Sequence, residues 1–191
     1  MKRQPFIIFE SFKEDGRMRK LLVVVDMQKD FIDGALGFEG AETIIPGIAD
    51  LIGRYKENGD EVVYTLDTHH EDYSGSVEGK HLPVPHCIEG TEGHELCEEL
   101  KGLLDGCRCF YKPTFGSLEL GKYIENCGEF FESIELCGLV SNICVLSNAV
   151  VCKAASPNSE IIVNSSLTKT MDETVQKECM DILKGIHVNV L

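Results

Sequence analysis

The sequence is 191 residues long, with 43% hydrophobic and 26% charged residues, which is the composition of one folded domain rather than of a disordered chain. Lys and Arg number 18 against 32 Asp and Glu, which gives a formal net charge of −14. So large an excess of acid argues against a nucleic-acid partner and against docking on anionic lipid.

The cysteines predict the cellular compartment, and the amino-terminal residues predict where the domain begins. No early apolar run is long enough for a signal peptide or a spanning helix. The nine cysteines form no CxxC pair, so we expect a cytoplasmic protein whose thiols are reduced and mostly packed in the core. The segment MRKLLVVVDM, which begins at Met18, is typical of a natural protein start. We therefore predict an extension or tail over residues 1–17 and a single domain over residues 18–191.

Apolar strand-like runs alternate with helical patterns along that domain. Residues 21–25 are continuously apolar, as in a strand buried on both faces. A helical stripe runs through residues 41–58 and ends at Asn58-Gly59, and a loop rich in Gly, His and Pro occupies residues 67–91. In chain order the patterns predict strands at 21–25, 61–66, 108–111, 133–137, 160–163 and 187–190, and helices at 41–58, 93–104, 118–127, 142–155 and 172–184.

This alternation predicts an α/β fold. Strand–helix–strand units build a mostly parallel sheet of about six strands with helices on both faces, which is a three-layer α/β/α architecture. Ligands of such sheets bind beyond the carboxyl ends of the strands. Polar or reactive side chains follow four of the predicted strands, and we expect them to share one edge: Asp26, Asp67, Lys112 and Cys144.

Cys144 is a candidate nucleophile. It lies three residues past Ser141, a predicted helix N-cap, so its thiol would face unpaired N–H groups and the positive end of the helix dipole. Both favour the thiolate, and the same N–H groups could hold an oxyanion. The alternative is one more core thiol.

Asp26 and Lys112 are candidates for a base and an electrostatic stabiliser. A carboxylate after an apolar strand is partly desolvated and can take a proton from a thiol. Taken singly, Asp26 could be a turn-capping aspartate and Lys112 a solvated lysine. On one edge with a cysteine, they complete the requirements of covalent catalysis.

The loop after the second strand offers metal ligands. Asp67, His69 and the later His86 match a mononuclear site with open positions for Zn²⁺, Fe²⁺ or Mn²⁺. Ordinary surface histidines are the alternative. Four other side chains compete for the same role: His70, His81, Cys87 and His94.

Together these motifs resemble the isochorismatase-like cysteine hydrolases, and within them the nicotinamidases, from about Leu21 to the C-terminus. The matching segments are LLVVVDMQKDF, TLDTHH, LPVPHCIEGT, YKPTFGS and GLVSNICV. The resemblance implies a catalytic triad of Asp26, Lys112 and Cys144. It also implies a cis peptide between Leu139 and Val140, and an oxyanion hole formed by the N–H groups of Val140 and Cys144.

The resemblance further implies one divalent transition metal, Zn, Fe or Mn, that orients the substrate. Its ligands would be Asp67, His69 and His86, with Glu78 as a possible fourth. Phe31 would contact the substrate ring. The chain departs from the family pattern in two ways: Ser141-Asn142 replaces a frequent Thr-Asp, and the usual pocket tryptophan is missing, with Leu82 or Pro83 in its neighbourhood.

The function that this resemblance implies is hydrolysis of a small neutral amide through a thioester, with nicotinamide giving nicotinate and ammonia as the leading reaction. A neutral substrate also suits an acidic protein. We expect a homo-oligomer. The alternatives are a related amidase or carbamoyl hydrolase, or a binding protein that kept the fold without turnover, against which the intact triad argues.

Overall fold

The computed structural model describes residues 18–127 and 131–191, so the predicted extension over residues 1–17 lies outside the described residues. The strands are β1 (Arg19–Val25), β2 (Glu61–Asp67), β3 (Arg108–Lys112), β4 (Phe131–Leu139), β5 (Glu160–Lys169) and β6 (Asn189–Val190). The α-helices are α1 (Lys29–Ile32), α2 (Ile45–Glu57), α3 (Val77–His81), α4 (Glu98–Leu104), α5 (Leu118–Cys127), α6 (Leu146–Ala155) and α7 (Glu173–Gly185). Among the described residues, no helix is both long and apolar enough to cross a membrane.

The six strands form one sheet in the order β3-β2-β1-β4-β5-β6, and every neighbouring pair is parallel. The predicted α/β fold is therefore confirmed. Because all six strands run the same way, their carboxyl ends meet at one edge, where ligands of parallel sheets bind.

Alternate residues of β1 face two separate hydrophobic cores, as the period of a strand requires. Leu22 and Val24 pack in the core under α2 and α4. Leu21, Val23 and Val25 pack in the core under α5, α6 and α7. The central strand is buried on both sides, which explains its unbroken apolar sequence.

Three predicted helices begin later than the hydrophobic pattern indicates. A 3₁₀ turn, Ala41–Ile44, precedes α2, whose first turn contains Pro46, a residue suited to a position that needs no N–H donor. A second 3₁₀ turn, Glu92–His94, precedes α4, and a π-helical turn, Ser141–Val145, precedes α6. The apolar stripe continues through these turns, so periodicity alone does not show where the α-helix starts.

The loop over residues 67–91 is more structured than its composition predicts. It contains a 3₁₀ turn, Tyr73–Gly75, and the short helix α3. Ser76 caps α3 by accepting a hydrogen bond from Gly79 N at 2.9 Å. These turns fold the loop back over the carboxyl end of β2.

The nine cysteines are all free thiols. Seven are buried, whereas Cys107, which precedes β3, and Cys109, which lies on β3, are half-buried. Most of them therefore serve as small core side chains.

Gly138 permits a close approach between the two central strands. Its φ is +112°, and a Cβ at this position would lie 2.1 Å from Val25 O. Val25 directly precedes Asp26, so any side chain at Gly138 would displace the end of β1.

We expect Gly138→Ala to lower the free energy of unfolding by about 2 kcal/mol or more, because it combines a clash with a strained backbone. Gly53→Ala is the matched control: Gly53 lies inside α2, and a Cβ there meets no atom within 4 Å. That substitution should raise the free energy of unfolding by about 0.5–1 kcal/mol. Urea denaturation measures both, and equal small effects would contradict the proposed close approach.

Candidate active site

Lys112 contacts the other three side chains that were predicted to share an edge with it. It ends β3, and only 1% of its surface is exposed. Its Nζ lies 2.7 Å from Asp26 Oδ2, 3.1 Å from Asp67 Oδ1 and 3.4 Å from Cys144 Sγ. The prediction of one shared edge is confirmed.

Asp26 is held by the neighbouring strand. It follows β1 with a φ of +47°, and its N–H donates to Thr65 O at 3.2 Å. The hydroxyl of Thr65 donates to Asp26 Oδ1 at 2.6 Å, while Lys112 contacts the other carboxylate oxygen. One oxygen of this fully buried carboxylate therefore accepts a hydrogen bond, and the other forms an ion pair with Lys112.

Burial and the charges of neighbouring groups together shift the pKa values of Asp26, Cys144 and Lys112. It raises the pKa of Asp26 above its ordinary value, although Lys112 opposes the shift. Burial and the nearby charge of Asp26 also raise the pKa of Cys144 well above that of a free thiol. Lys112 stays charged despite its burial, since Asp26, Cys144 and Asp67 raise its pKa.

The expectation that the helix start would favour the Cys144 thiolate is therefore wrong. Desolvation and the charge of Asp26 raise the pKa of this group, which favours the neutral thiol. It lies beside a carboxylate whose raised pKa makes it a better proton acceptor than an exposed aspartate. The arrangement suits proton transfer at the moment of attack rather than a standing thiolate.

The turn that carries Cys144 differs from the predicted N-cap. Val140 occupies the cap position without a side-chain bond, and the hydroxyl of Ser141 pairs with Thr168 Oγ1 at 2.9 Å instead. The peptide between Leu139 and Val140 is cis, as expected. The carbonyl of Val140 accepts from Val145 N at 3.2 Å, which closes the turn around the thiol.

A second cluster adjoins the first through Asp67. One ligand atom from each of Asp67, His69, Glu78 and His86 lies within 4.8 Å of the others. Asp67 Oδ2 is 3.1 Å from His69 Nε2 and 3.3 Å from His86 Nε2. Glu78 Oε1 lies 3.7 Å from each imidazole nitrogen, so the fourth predicted ligand belongs to the group.

The orientation of His86 suits a metal. Its Nδ1 lies 2.9 Å from Val84 O, and since a carbonyl only accepts hydrogen bonds, Nδ1 carries the hydrogen. When His86 gives up the hydrogen that its Nε2 shares with Asp67, the lone pair is on Nε2, which faces the cluster. A metal-binding histidine is commonly held in this way by a carbonyl behind it.

The charges of the cluster also suit a cation. Burial disfavours the charged form of Asp67, but hydrogen bonds with His69 and His86 hold its pKa below the usual range. Burial and the charge of Asp67 raise the pKa of Glu78. A bound cation would relieve the repulsion between these carboxylates, so the donor set fits a divalent transition metal.

Two of the four competing donors have other partners. His70 pairs with Glu89 at 3.4 Å, and His94 contacts Thr68 Oγ1 at 2.9 Å. None of His70, His81, Cys87 and His94 belongs to the cluster found among the described residues.

Two aromatic rings border the cluster of candidate metal ligands. Phe31, the predicted substrate contact, is 5% exposed and meets the His86 ring edge-on, with centroids 5.7 Å apart. Tyr73 lies edge-on to His69 and His86 at 4.8 and 5.1 Å. The sequence analysis missed Tyr73, because nothing in a loop sequence indicates which ring folds back.

Gln28 is another residue that the sequence analysis missed. It is fully buried, its Oε1 accepts from Asp67 N at 2.7 Å, and its Nε2 donates to Asp67 O at 2.9 Å. The carboxamide thus makes the two backbone hydrogen bonds with Asp67 that a neighbouring strand would otherwise make. Its place two residues after Asp26 was a weak signal, since the sequence does not identify its partners.

Comparison with known proteins places the whole described domain in one family. A family model described as Isochorismatase domain matches residues 20–190. An uncharacterized isochorismatase family protein PncA of Bacillus subtilis is 32% identical over 145 residues, covering 70% of this chain and 78% of that protein.

Solved structures agree. The nicotinamidase/pyrazinamidase PncA of Bacillus subtilis is 27% identical with a TM-score of 0.80, covering 91% of this chain and 99% of that one. A pyrazinamidase of Pyrococcus horikoshii, solved in complex with zinc, has the same fold at 24% identity, with a TM-score of 0.75 and coverage of 91% and 98%.

We expect Thr65→Val to lower the free energy of unfolding by about 1–3 kcal/mol at neutral pH, because a buried carboxylate oxygen loses its donor. Thr65→Ser keeps the hydroxyl and serves as the control. The bond favours ionised Asp26, so its contribution should shrink as pH falls through the raised pKa of that residue. Urea denaturation at a series of pH values measures this, and a loss independent of pH would contradict it.

Proposed function

The chain belongs to the isochorismatase family, and on that premise we propose that it is a cysteine amidohydrolase that converts nicotinamide and water to nicotinate and ammonia. The observation that carries the proposal is the position of the Lys112 ammonium. It lies within 3.4 Å of the thiol of Cys144, 2.7 Å of the carboxylate of Asp26 and 3.1 Å of the metal-binding cluster at Asp67. Nucleophile, base and substrate-orienting cluster are thus held around one buried charge.

In the first half of the reaction, Asp26 takes the proton of the Cys144 thiol as the sulfur attacks the amide carbon. Lys112 stabilises the negative charge that develops, and the N–H groups of Val140 and Cys144 hold the tetrahedral oxyanion. The carbon–nitrogen bond then breaks, Asp26 returns its proton to the leaving nitrogen, and ammonia departs from the thioester.

In the second half, Asp26 takes a proton from water as its oxygen attacks the thioester carbon. The carbon–sulfur bond breaks, Asp26 returns this proton to the sulfur of Cys144, and the product leaves as the acid, which ionises to nicotinate. The raised pKa of Asp26 suits both halves, because this carboxyl must accept and donate a proton in turn.

Asp67, His69, Glu78 and His86 would hold one divalent metal: zinc, iron or manganese. When bound, the metal supplies a Lewis-acidic point that anchors the ring nitrogen of the substrate or a water in contact with it. Phe31, which packs against His86, is proposed to contact the same ring.

A small neutral amide is the substrate class that we favour. The buried centre already contains the carboxylates of Asp26 and Asp67 around one ammonium, so an anionic substrate would add unpaired charge. The relatives described as nicotinamidases and the metal-binding cluster favour nicotinamide over other amides. A cytoplasmic location and a homo-oligomeric state stay predictions.

Cys144→Ala should lower kcat/KM for ammonia release from nicotinamide by roughly 10³-fold or more, since it removes the nucleophile. Cys152→Ala is the matched control, because Cys152 is an equally buried thiol on α6. A coupled ammonia assay over a small panel of amides measures both variants.

Three outcomes of this assay separate the alternatives. Robust turnover by Cys144→Ala would overturn the cysteine mechanism. Turnover of another amide or a carbamoyl compound but not of nicotinamide would keep the reaction class and change the substrate. No turnover of any amide by the unmodified protein would favour a binding protein.

The protein purified without chelators should contain about one equivalent of a transition metal. His86→Ala should weaken metal binding by roughly 100-fold or more, because even outer-shell partners of a metal contribute 10–100-fold. His70→Ala is the control, since His70 is exposed and outside the cluster. Elemental analysis and chelator competition measure this, and equal metal content in both variants would contradict the assignment.

A further inference from the structure

We propose that Asn148 is a positioning residue that holds the segment after Lys112 against the turn that carries Cys144. The inference rests on the proposed function, in which Lys112 and Cys144 act together. Asn148 lies on α6, four residues past the thiol, and is fully buried.

The Asn148 carboxamide uses its two donors and its acceptor. Its Nδ2 donates to Cys144 O at 2.8 Å and to Phe115 O at 3.1 Å. Its Oδ1 accepts from Ser117 N at 3.0 Å. One side chain therefore joins the backbone of the nucleophile turn to two points of the segment that follows Lys112.

Few other side chains can make these three bonds. Aspartate has no donor for the two carbonyls, and threonine has a single hydroxyl with one hydrogen to donate. Leucine has a similar shape but would leave the buried Cys144 carbonyl, the buried Ser117 N–H and the partly buried Phe115 carbonyl without this partner. The chemistry at the site thus requires a primary amide.

The segment after Lys112 lies tightly against α6, so a displacement of α6 would also move this segment. A Cβ at Gly116 would lie 3.3 Å from Val151 Cγ2, and one at Gly121 would lie 2.9 Å from Val151 Cγ1. Ser117 also begins α5, because its Oγ accepts from Leu120 N at 3.1 Å. The amide of Asn148 therefore connects α5, the segment after β3 and the nucleophile turn.

The quantity that Asn148 controls is the 3.4 Å separation of Lys112 Nζ from Cys144 Sγ. Lys112 favours the thiolate, whereas Asp26 and Asp67 disfavour it. If the two segments move apart, the thiol loses its favourable partner and its proton becomes harder to remove.

The experiment compares Asn148→Leu, which has no hydrogen-bonding group, with Asn148→Thr, which keeps one donor. The control is Ser159→Ala: Ser159 donates to Phe131 O at 2.7 Å, is equally buried and lies at the opposite end of the sheet. Iodoacetamide labels each folded protein across neutral and alkaline pH. Mass spectrometry follows the peptide that contains Cys144, which separates it from the other thiols.

We expect the pH midpoint of Cys144 labelling to rise by about one unit or more in Asn148→Leu, with a smaller rise in Asn148→Thr. In the same proteins kcat for nicotinamide should fall about tenfold with little change in KM, because the substrate contacts stay in place. Ser159→Ala should lose stability and keep the midpoint of the unmodified protein, which separates positioning from general destabilisation.

An unchanged midpoint in Asn148→Leu would overturn the proposal. If that variant does not fold, an unchanged midpoint in Asn148→Thr would overturn it equally. A shifted midpoint in a protein whose unmodified form does not hydrolyse nicotinamide would support the role of Asn148 and remove the proposed reaction. Hydrolysis with no midpoint shift would keep the reaction and remove Asn148.

Discussion

The buried ammonium of Lys112 is the interaction on which the rest of the site depends. A charge without access to water is tolerated only when it is paired, and here two carboxylates pair with it. Asp26 supplies the proposed base, and Asp67 extends the network to the cluster of candidate metal ligands. A change in the charge of either carboxylate therefore changes the electrostatic field at the ammonium that faces Cys144. The proposed reaction and the proposed metal binding are coupled through this ammonium.

The short segment after β1 arranges both halves of the site. Gln28 holds the backbone of Asp67, the first predicted ligand. Asp30 accepts from Cys87 N at 2.7 Å, which steadies a residue with a φ of +46° directly after His86. Phe31 then packs against the His86 ring. Since Asp26 begins the same segment, the acid and both metal-binding loops are fixed by a few consecutive residues.

The sequence predictions failed where a residue distant in the chain changed the outcome of a local rule. Ser141 has the residue type and spacing of an N-cap, but its hydroxyl pairs with Thr168 on β5, and the helix begins with a π-helical turn instead. The expected thiolate at Cys144 followed from the helix dipole and the unpaired N–H groups of the first turn, whereas burial and Asp26 raise the pKa of the thiol. Capping and dipole rules describe neighbours in the chain, and both outcomes depend on residues far along it.

The sequence by itself determined the parallel sheet and the edge at which Asp26, Asp67, Lys112 and Cys144 meet, because strand periodicity and the polarity of strand–helix–strand units are local properties. Only the tertiary structure decided how burial and neighbouring charges shift their pKa values, the position of Glu78 beside Asp67, His69 and His86, and the bonds of Gln28 and Asn148. These depend on distances and on exclusion of water, which result from packing many segments together. A residue count does not distinguish the nine cysteines from one another. The tertiary structure does, because Cys144 lies beside a buried carboxylate and a buried ammonium.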